Sequence, residues 1–571
     1  MRIFSKKLFP FVSWFPISRA SLRCDFLAGL TVAFVLIPQS MAYAELAGLP
    51  PWVGLYASFL PVILGGLWGS SNHLQTGPVA MISLLTASVL GPLALAGSSE
   101  YIRFAVMLSS LIGIIWLLVA VFRLSFIVNF VSRPVIEGFV HAGAVIIATS
   151  QLGKVLGIQT YGGEHYLSSL WNLLTRLGET NPMSVAMGGG ALALLLIGRK
   201  MFPKLPIALF VVVVSAALVY LLGLSDSERF AKPLAIVGII PSGIPKPVVA
   251  IPSWRELMDL LPGAFTIAFV GFMEMSSVAR ALAIRSRQKL NLNQETVGQA
   301  MAAFGSAFFG GFPVSGSFSR SALNFSVGAR SGLSAVFTGL FVMIFLLGFT
   351  RYLFYLPKTV LAAIIIAAVL NLMNFRKLWH YFQVNKADGL ASFATFFATV
   401  LLAPHLEKGI ILGASLSILI HLYRMMRPHV AVLGQHPDGR LRDAAVHGLE
   451  VDSNLPAIRL DEQLFFANIA YFEERIIHTA ETFPDAKYLA IVCDGINEID
   501  VSGIDVLQDV TRQLEHQGTQ LLLIGVKNQV MEVMKLSGLD TLIGIENIFP
   551  NYEAARKEIY ARLPSDMTYA I

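Results

Sequence analysis

Charged residues and cysteines are scarce in this chain of 571 residues. Asp, Glu, Lys and Arg together make up only 14% of it, whereas 55% of the residues are hydrophobic. A soluble protein of this size needs far more polar surface, so the composition indicates a polytopic membrane protein. Cys24 and Cys493 are the only cysteines, which argues against a disulfide framework or a cysteine-based metal site. The net charge of +6 comes without any basic run, so we predict no nucleic-acid partner.

Hydrophobic segments suited to crossing a membrane recur between residues 26 and 423. Lys and Arg cluster in alternate links between these segments. By the positive-inside rule both termini are therefore cytoplasmic, with residues 1–25 as a retained leader because no cleavage site precedes the first segment. We predict about fourteen spans, at residues 26–44, 52–68, 78–96, 102–122, 135–152, 184–198, 207–222, 257–281, 297–309, 317–328, 333–349, 359–372, 390–404 and 410–423.

The tenth of these segments is entered through residues that break a helix. Residues 310–324 read GGFPVSGSFSRSALN, where glycines and a proline interrupt the apolar pattern and Arg320 follows. Inside a membrane, irregular backbone is tolerated only where protein or a water-filled cavity satisfies its polar groups. An ionisable side chain at that depth marks a candidate functional site.

A weak internal repeat relates this interruption to an earlier one. Residues 33–47 align with residues 268–282, and nearly the same offset places Thr76-Gly77-Pro78 opposite Ser315-Gly316-Ser317. Matched interruptions in two halves of a membrane protein point to a transporter binding site. Seven spans in each half, an odd number, would invert the second repeat relative to the first.

The composition changes after the last apolar segment. Between residues 436 and 571 charges are frequent, and strand-like and helix-like patterns alternate, which predicts a small α/β soluble domain. No phosphate-binding loop, zinc spacing or nucleophile elbow occurs in it, so we predict no enzymatic activity. The predicted strands are 458–460, 464–466, 488–492 and 520–524, and the predicted helices are 470–481, 503–515 and 530–537.

Five motifs in this order resemble the SulP family of anion permeases. Three lie in the membrane region: AGLTVAFVLIPQSMAYAELAGLPPWVGLYASF at 28–59, GSSNHLQTGPVAMISLL at 69–85 and GSFSRSALNFSVGA at 316–329. Two resemble a STAS domain, named for sulfate transporters and anti-sigma factor antagonists. They are CDGINEIDVSGIDVL at 493–507 and MKLSGLD at 534–540.

The resemblance implies an all-α polytopic membrane domain, residues 26–427, of seven plus seven inverted spans with repeats at about 26–223 and 257–427. A core (spans one to four and eight to eleven) would move against a gate, so that the substrate site faces each side alternately. Spans three and ten would be half-helices preceded by short strands. The family works as dimers, and residues 436–571 would form a cytoplasmic α/β STAS-like domain open to protein partners.

Within the family, the motifs are most similar to those of proton-coupled sulfate transporters. The resemblance therefore implies uptake of sulfate with H⁺ across the inner (plasma) membrane, with no cofactor beyond the coupling ion, H⁺ or Na⁺. Sodium-coupled bicarbonate uptake, proton-coupled dicarboxylate uptake and an uncoupled anion exchanger or channel remain alternatives, because the same backbone amides suit all small oxyanions.

The candidates for binding the anion come from the interrupted segments and the first span. If helices start after the interruptions, their free N–H groups and dipoles direct positive charge into one cavity, together with Arg320. The alternative is structural, with Arg320 as an anchor and the others as caps or packing residues. The predicted substrate-binding residues are Gln39, Tyr43, Thr76, Gly77, Pro78, Val79, Ser317, Phe318, Ser319 and Arg320.

Two further residues are candidates for coupling and regulation. Glu274 lies in an uncharged stretch, where a lone carboxylate is costly, so we expect it to be protonated, paired or ion-bound. It would carry the coupling proton, or else form a structural pair with a cation such as Arg280. We also expect a structural pair between Glu45 and Arg280. Ser502 matches a position phosphorylated in some soluble relatives, although residues 500–503 also suit a plain strand–helix turn.

Overall fold

The computed structural model describes residues 9–125, 132–158, 166–202, 206–230 and 232–562, apart from the side chains of Arg199 and Asn371. The chain forms two compact units, Met1–Ser417 and Ile418–Ile571. The first eight residues of the expected leader and the last nine residues of the C-terminal domain lie outside the described residues.

The first unit is built from helices and one pair of very short strands. Before the first strand lie α1 (Arg19–Leu46), α2 (Pro51–Tyr56) and α3 (Leu60–Trp68), and β1 is Thr76–Gly77. Between the strands lie α4 (Ala80–Leu90), α5 (Ser99–Val121), α6 (Arg133–Leu156), α7 (Tyr166–Thr175), α8 (Pro182–Met201), α9 (Ile207–Leu222), α10 (Trp254–Ser286) and α11 (Leu292–Phe308). After β2 (Ser315–Gly316) come α12 (Phe318–Val327), α13 (Leu333–Gly348), α14 (Lys358–Val369), α15 (Phe375–Val384), α16 (Lys386–Leu402) and α17 (Leu406–Met426).

Every predicted span overlaps at least one of these helices, and the span predicted at 52–68 is divided between α2 and α3. In the described part of the chain, six helices are long and apolar enough to cross a membrane: Arg19–Leu46, Pro51–Trp68 taken as one, Ser99–Val121, Arg133–Leu156, Trp254–Ser286 and Leu406–Met426. Five apolar helices are shorter: Ala80–Leu90, Pro182–Gly198, Ile207–Leu222, Leu333–Gly348 and Lys358–Val369. The protein is thus a multi-pass membrane protein, whereas the count of fourteen spans and the inverted repeat stay predictions.

Helix boundaries follow local chemistry. A capping box between Ser253 and Glu256 starts the 33-residue helix α10. By contrast, α11 ends at Phe308 and α12 begins only at Phe318, because the intervening glycines and Pro313 cannot continue a helix. Helix α12 ends after ten residues at Gly328, whose φ of 100° is a left-handed conformation that glycine adopts without strain. The interrupted segment therefore yields a half-helix, as predicted.

The second unit is a six-stranded mixed sheet with helices. Its elements are β3 (Val430–Gln435), β4 (Leu441–Asp443), α18 (Ala444–His447), β5 (Ala457–Leu460), α19 (Ile469–Thr482), β6 (Tyr488–Val492), α20 (Val501–His516), β7 (Gln520–Ile524), α21 (Asn528–Ser537), α22 (Leu539–Ile543), β8 (Ile548–Phe549) and α23 (Tyr552–Arg562). The strand order is β4-β3-β5-β6-β7-β8. Strands β5 to β8 are parallel, and β3 is antiparallel to both of its neighbours. The α/β class of this domain is confirmed. Its sheet begins at Val430, before the predicted limit at residue 436.

One strand prediction in this unit is wrong. Residues 464–466 do not form a strand, since Leu464 makes only a single bridge to Ile499. The next residues turn toward α19, and the main-chain N–H of Phe466 donates to Asp500 Oδ2 at 2.9 Å. A short apolar run cannot distinguish such a turn from a buried strand.

Candidate functional site

The two interrupted segments meet in the first unit. Strands β1 and β2 pair in antiparallel register, with Thr76 opposite Gly316 and Gly77 opposite Ser315. The main-chain N–H of Ser317 extends this ladder by donating to the carbonyl oxygen of Gln75 at 2.9 Å. Because antiparallel strands run in opposite directions and each one leads into a helix, the N-termini of α4 and α12 face each other across the ladder. The prediction of two half-helices preceded by short strands is confirmed.

Side chains from neighbouring helices hold the ladder in place. Gln299 of α11 donates from Nε2 to Thr76 Oγ1 at 2.8 Å. Ser315 Oγ donates to the carbonyl oxygen of Gly271 in α10 at 3.0 Å. The main-chain N–H of Gln75 donates to Ser321 Oγ at 2.8 Å. All of these side chains are buried, so each bond also removes an otherwise costly unsatisfied group.

The two helix starts differ in their capping. Ser317 caps α12, since its Oγ accepts from the N–H of Arg320 at 3.5 Å. At α4 the N-cap residue is Val79, and in the part of the chain that the structure describes no side chain caps this helix start. Pro78 and Val79 are buried there, whereas the ring of Phe318 is 54% exposed and Ser319 is also exposed. The first amides of α4 therefore lack a side-chain partner among the described residues, and the start of α12 is only partly covered by protein.

Arg320 places its positive charge at this meeting point. Its side chain is only 1% exposed, and Nη1 donates to Gln39 Oε1 at 3.4 Å. Nε and Nη2 have no hydrogen-bond partner, and within the described ranges no carboxylate lies within 4.0 Å of the guanidinium group. A buried charge without hydrogen-bond partners costs several kcal/mol, so this guanidinium group is only partly satisfied by the chain.

Glu274 and Tyr43 complete this group. Both interact electrostatically with Arg320, and Glu274 Oε2 is buried without a hydrogen-bond partner among the described residues. Glu274 follows Gly271 by about one turn of α10, and Gly271 binds the ladder through Ser315. The fold thus brings together Gln39, Tyr43, Glu274, Arg320 and the two half-helix starts from four separate helices.

Two buried carboxylates that support the half-helices, Glu295 and Asp25, were not predicted from the sequence. Glu295 Oε2 accepts the N–H groups of Ser70 and Ser71, both at 2.7 Å, and so fixes the turn that leads to β1. Asp25 Oδ1 accepts the N–H of Arg330 at 2.6 Å, just after α12. An acidic residue beside an apolar segment is the sequence signal that could have indicated such a buried carboxylate. Its partners lie far away in sequence, however, so the sequence alone does not reveal them.

The pair predicted between Glu45 and Arg280 is wrong. Glu45 Oε1 instead lies 3.2 Å from Lys154 Nζ, at the C-terminal end of α6. Charge alone does not show whether Glu45 pairs with Lys154 or with Arg280, because both lie far from it in sequence.

The remaining candidate lies in the second unit. Ser502 is half-buried in the first turn of α20, two residues after the N-cap residue Asp500. Asp500 Oδ1 accepts the N–H of Gly503 at 2.8 Å. In the same unit, burial raises the pKa of the Cys493 thiol to about 12, which disfavours the reactive thiolate form at neutral pH. In the described part of the chain, no cluster of three or more His, Cys, Asp or Glu side chains could hold a metal ion.

Comparison with known protein families decides the identity of this fold. The family model described as the sulfate permease family matches residues 22–395. The chain belongs to the sulfate permease family. The permease is therefore a membrane transporter of anions and not an enzyme. The STAS domain model matches its residues 449–555, which include strands β5 to β8 of the mixed sheet.

Named relatives match the permease along most of its length. It is 31% identical over 558 residues to "Sulfate transporter 4.1, chloroplastic" of Arabidopsis thaliana, covering 95% of the permease and 81% of that protein. It is 33% identical over 539 residues to a probable sulfate transporter of Mycobacterium tuberculosis, covering 93% of the permease and 94% of that protein.

Solved structures agree on the fold of the permease. The murine Solute Carrier 26 family member A9 anion transporter in the inward-facing state superposes with a TM-score of 0.89 at 23% identity, covering 98% of the permease and 95% of that chain. The transmembrane domain of the cyanobacterial bicarbonate transporter BicA superposes with a TM-score of 0.59 at 19% identity, covering 71% of the permease and 98% of that chain.

Gly77 gives a direct test of how closely the ladder approaches Arg320. A Cβ atom at Gly77 would lie 3.2 Å from Arg320 Nη2, so Gly77→Ala would require the guanidinium group to shift by a few tenths of an ångström. We expect about a tenfold loss of anion uptake by the permease, because small misplacements of a binding group are costly. Gly190→Ala is the matched control, since no atom lies within 4 Å of a Cβ added there. Equal uptake by the two variants would contradict this geometry.

Proposed function

We propose that the protein is a secondary active transporter that takes up a small oxyanion, sulfate with H⁺ symport, by alternating access. The observation that carries the proposal is the buried Arg320 guanidinium, with Nε and Nη2 unpartnered, between two opposed helix N-termini. Backbone amides at helix starts and a guanidinium group are the donors that bind oxyanions. Relatives at 31% and 33% identity that are named as sulfate transporters favour sulfate among such anions.

The proposed site uses main chain and side chains together. The amides that follow Pro78 and Ser317 would bind the oxygens of the anion from opposite sides. Gln39, Tyr43, Thr76, Ser319 and Arg320 would line the site. Gly77 would let the backbone approach, Val79 and Ser317 would set the two helix starts, and Phe318 would border the entrance.

Glu274 would couple this binding to the proton gradient. Each net charge that enters a cell against 100 mV costs about 2.3 kcal/mol, so a dianion alone enters unfavourably. A proton carried on Glu274 lowers the net charge that enters the cell by one. Because Glu274 interacts electrostatically with Arg320, its protonation would depend on whether the anion is bound.

We further propose that a core containing α1–α5 and α10–α13 moves against a gate containing α6, α8, α9, α14, α16 and α17. Among the described residues, polar contacts at two places join these groups. Glu45 of α1 pairs with Lys154 of α6, and Ser88 Oγ of α4 donates to the carbonyl oxygen of Pro404 and lies 3.4 Å from Glu407 Oε2. With both termini cytoplasmic in the inner membrane, these contacts lie at the external end, where they would hold the outer entrance closed.

Breaking the Glu45–Lys154 pair should open that entrance more often. We expect Lys154→Gln to raise labelling of Ala87→Cys by an impermeant maleimide about two- to fivefold, since a partly exposed pair contributes on the order of 0.5–1 kcal/mol. Ala87 lines the cavity at this seam, together with Ser88 and Pro404. Arg103→Gln is the control, because Arg103 pairs with Glu256 inside the proposed core. Labelling unchanged by Lys154→Gln, or raised equally by the control, would refute the role of this pair.

Transport itself is tested in proteoliposomes. Labelled sulfate, bicarbonate and a dicarboxylate are offered separately, with an imposed pH gradient or sodium gradient. Sulfate accumulation driven by the pH gradient alone supports the proposal. Accumulation driven by sodium, or uptake of another anion only, favours sodium-coupled bicarbonate or proton-coupled dicarboxylate transport. Equilibration without accumulation indicates an uncoupled exchanger or channel.

The STAS domain and the oligomeric state complete the proposal. We propose a homodimer, and a cytoplasmic STAS domain that contacts other cytoplasmic proteins. Ser502 is the proposed regulatory residue there. A phosphoryl group on Ser502 would meet the positive end of the α20 dipole but also the neighbouring Asp500 carboxylate.

A further inference from the structure

Helix α15, which connects α14 to α16, is strongly amphipathic. At 100° per residue, Phe375, Leu378, Trp379 and Phe382 share one face. Lys377 and His380 lie on the opposite side, and Arg376 and Gln383 flank the apolar face. The helix is only ten residues long, which is too short to span a bilayer. Since it connects two apolar helices of a membrane protein, it lies near one membrane surface.

Protein covers only part of the apolar face of α15. Leu378 is buried, and the ring of Phe382 packs against Phe393 of α16 at 6.3 Å. The rings of Phe375 and Trp379, however, are 50% and 55% exposed. Tryptophan and phenylalanine on such a face are typical of a helix that lies in the interface between headgroups and acyl chains.

The positive charges on and beside this helix are largely uncompensated. Lys377 pairs with Glu137 of α6. Arg376 of α15 and Lys386, the first residue of α16, are both exposed. Within the described ranges no carboxylate lies within 4.0 Å of either side chain. Two cations without a carboxylate partner, next to an apolar surface, complement an anionic phospholipid, which has a negative phosphate group and apolar acyl chains.

We propose that α15 binds an anionic phospholipid at the membrane surface. Arg376 and Lys386 contact the headgroup phosphate, while Phe375 and Trp379 lie against the acyl chains. This site is separate from the proposed anion site around Arg320, and it does not depend on which anion the protein transports.

The test uses Trp379 of the full-length protein as a fluorescent probe. The protein is reconstituted in phosphatidylcholine vesicles that contain a minor fraction of phosphatidylglycerol, with brominated acyl chains on one lipid or the other. The signal of Trp379 is obtained by subtracting the Trp379→Phe variant. We expect brominated phosphatidylglycerol to quench Trp379 more strongly than its mole fraction predicts.

Charge removal tests the headgroup contact. In the double variant Arg376→Gln/Lys386→Gln, the preference for phosphatidylglycerol should fall about 10- to 30-fold, since each basic residue contributes about fivefold near an anionic surface. The matched control is Lys246→Gln/Arg255→Gln, which removes two exposed charges outside α15 and should retain the preference. An unchanged preference in the first variant, an equal loss in the control, or Trp379 that neither lipid quenches would overturn the proposal. So would competition by free glycerol phosphate, which would indicate a site for soluble phosphate.

Discussion

Arg320→Ala is expected to lower sulfate uptake by at least about 100-fold while the protein still folds. The Nε and Nη2 atoms of Arg320 are buried and without partners, so an oxyanion would gain two charge-assisted hydrogen bonds there. Such bonds contribute about 1.5–3 kcal/mol each, and the loss of two corresponds to more than 100-fold in affinity. Initial rates of labelled sulfate uptake in proteoliposomes give the transport effect, and calorimetry of sulfate binding gives the affinity.

Arg330→Ala is the matched control for this variant. It removes the same charge from an exposed side chain just beyond α12, and uptake should stay close to that of the unmodified protein. Arg320→Lys tests the geometry, because an ammonium group keeps the charge but lacks the planar fork, so we expect partial activity only. Normal uptake by Arg320→Ala would remove the charge argument, and a lower melting temperature of Arg320→Ala alone would show that Arg320 stabilises the fold.

Glu274→Gln is expected to abolish accumulation of sulfate against its gradient while leaving exchange of sulfate across the membrane. Glutamine keeps the size of the side chain and its hydrogen-bonding capacity but cannot carry a proton. Uptake by the unmodified protein should rise as the external pH falls, and the variant should lose this dependence. The measurement compares net uptake under an imposed pH gradient with exchange of labelled sulfate at equal pH on both sides.

Glu100→Gln is the control for Glu274→Gln. Glu100 is an exposed carboxylate in the first turn of α5, and its replacement should preserve both accumulation and pH dependence. If Glu274→Gln still accumulates sulfate under a pH gradient, Glu274 is not the coupling residue. If it loses exchange as well, Glu274 belongs to the anion site itself.

Much of the membrane region could be predicted because hydrophobicity in lipid is a strong signal. All predicted spans overlap helices, and the interruptions near Pro78 and Pro313 do precede half-helices. Helix α15 was not predicted, since ten residues with four polar side chains resemble a loop in a hydropathy profile. The division between α2 and α3 was also not predicted, because Pro61, at the start of α3, lies inside a continuous apolar run.

The site was predictable in its parts but not in its assembly. Arg320 and Glu274 stand out because charge is rare in apolar segments, and the structure brings them within electrostatic range. Glu295 and Asp25 were missed because each binds backbone groups more than 200 residues away in sequence. Contacts between residues so far apart in sequence depend on the tertiary structure, which composition and periodicity do not predict. The same limit explains why Lys154, and not Arg280, is the partner of Glu45.

The hydrogen-bonded ladder between β1 and β2 has a mechanical consequence. Main-chain hydrogen bonds between Thr76-Gly77 and Ser315-Gly316 join two parts of the chain that lie far apart in sequence. Under the proposed mechanism, an anion bound there would keep both sets of donors throughout its passage. The rate of transport would then be set by movement of the core along the gate. The anion would stay bound to the same donors throughout each cycle.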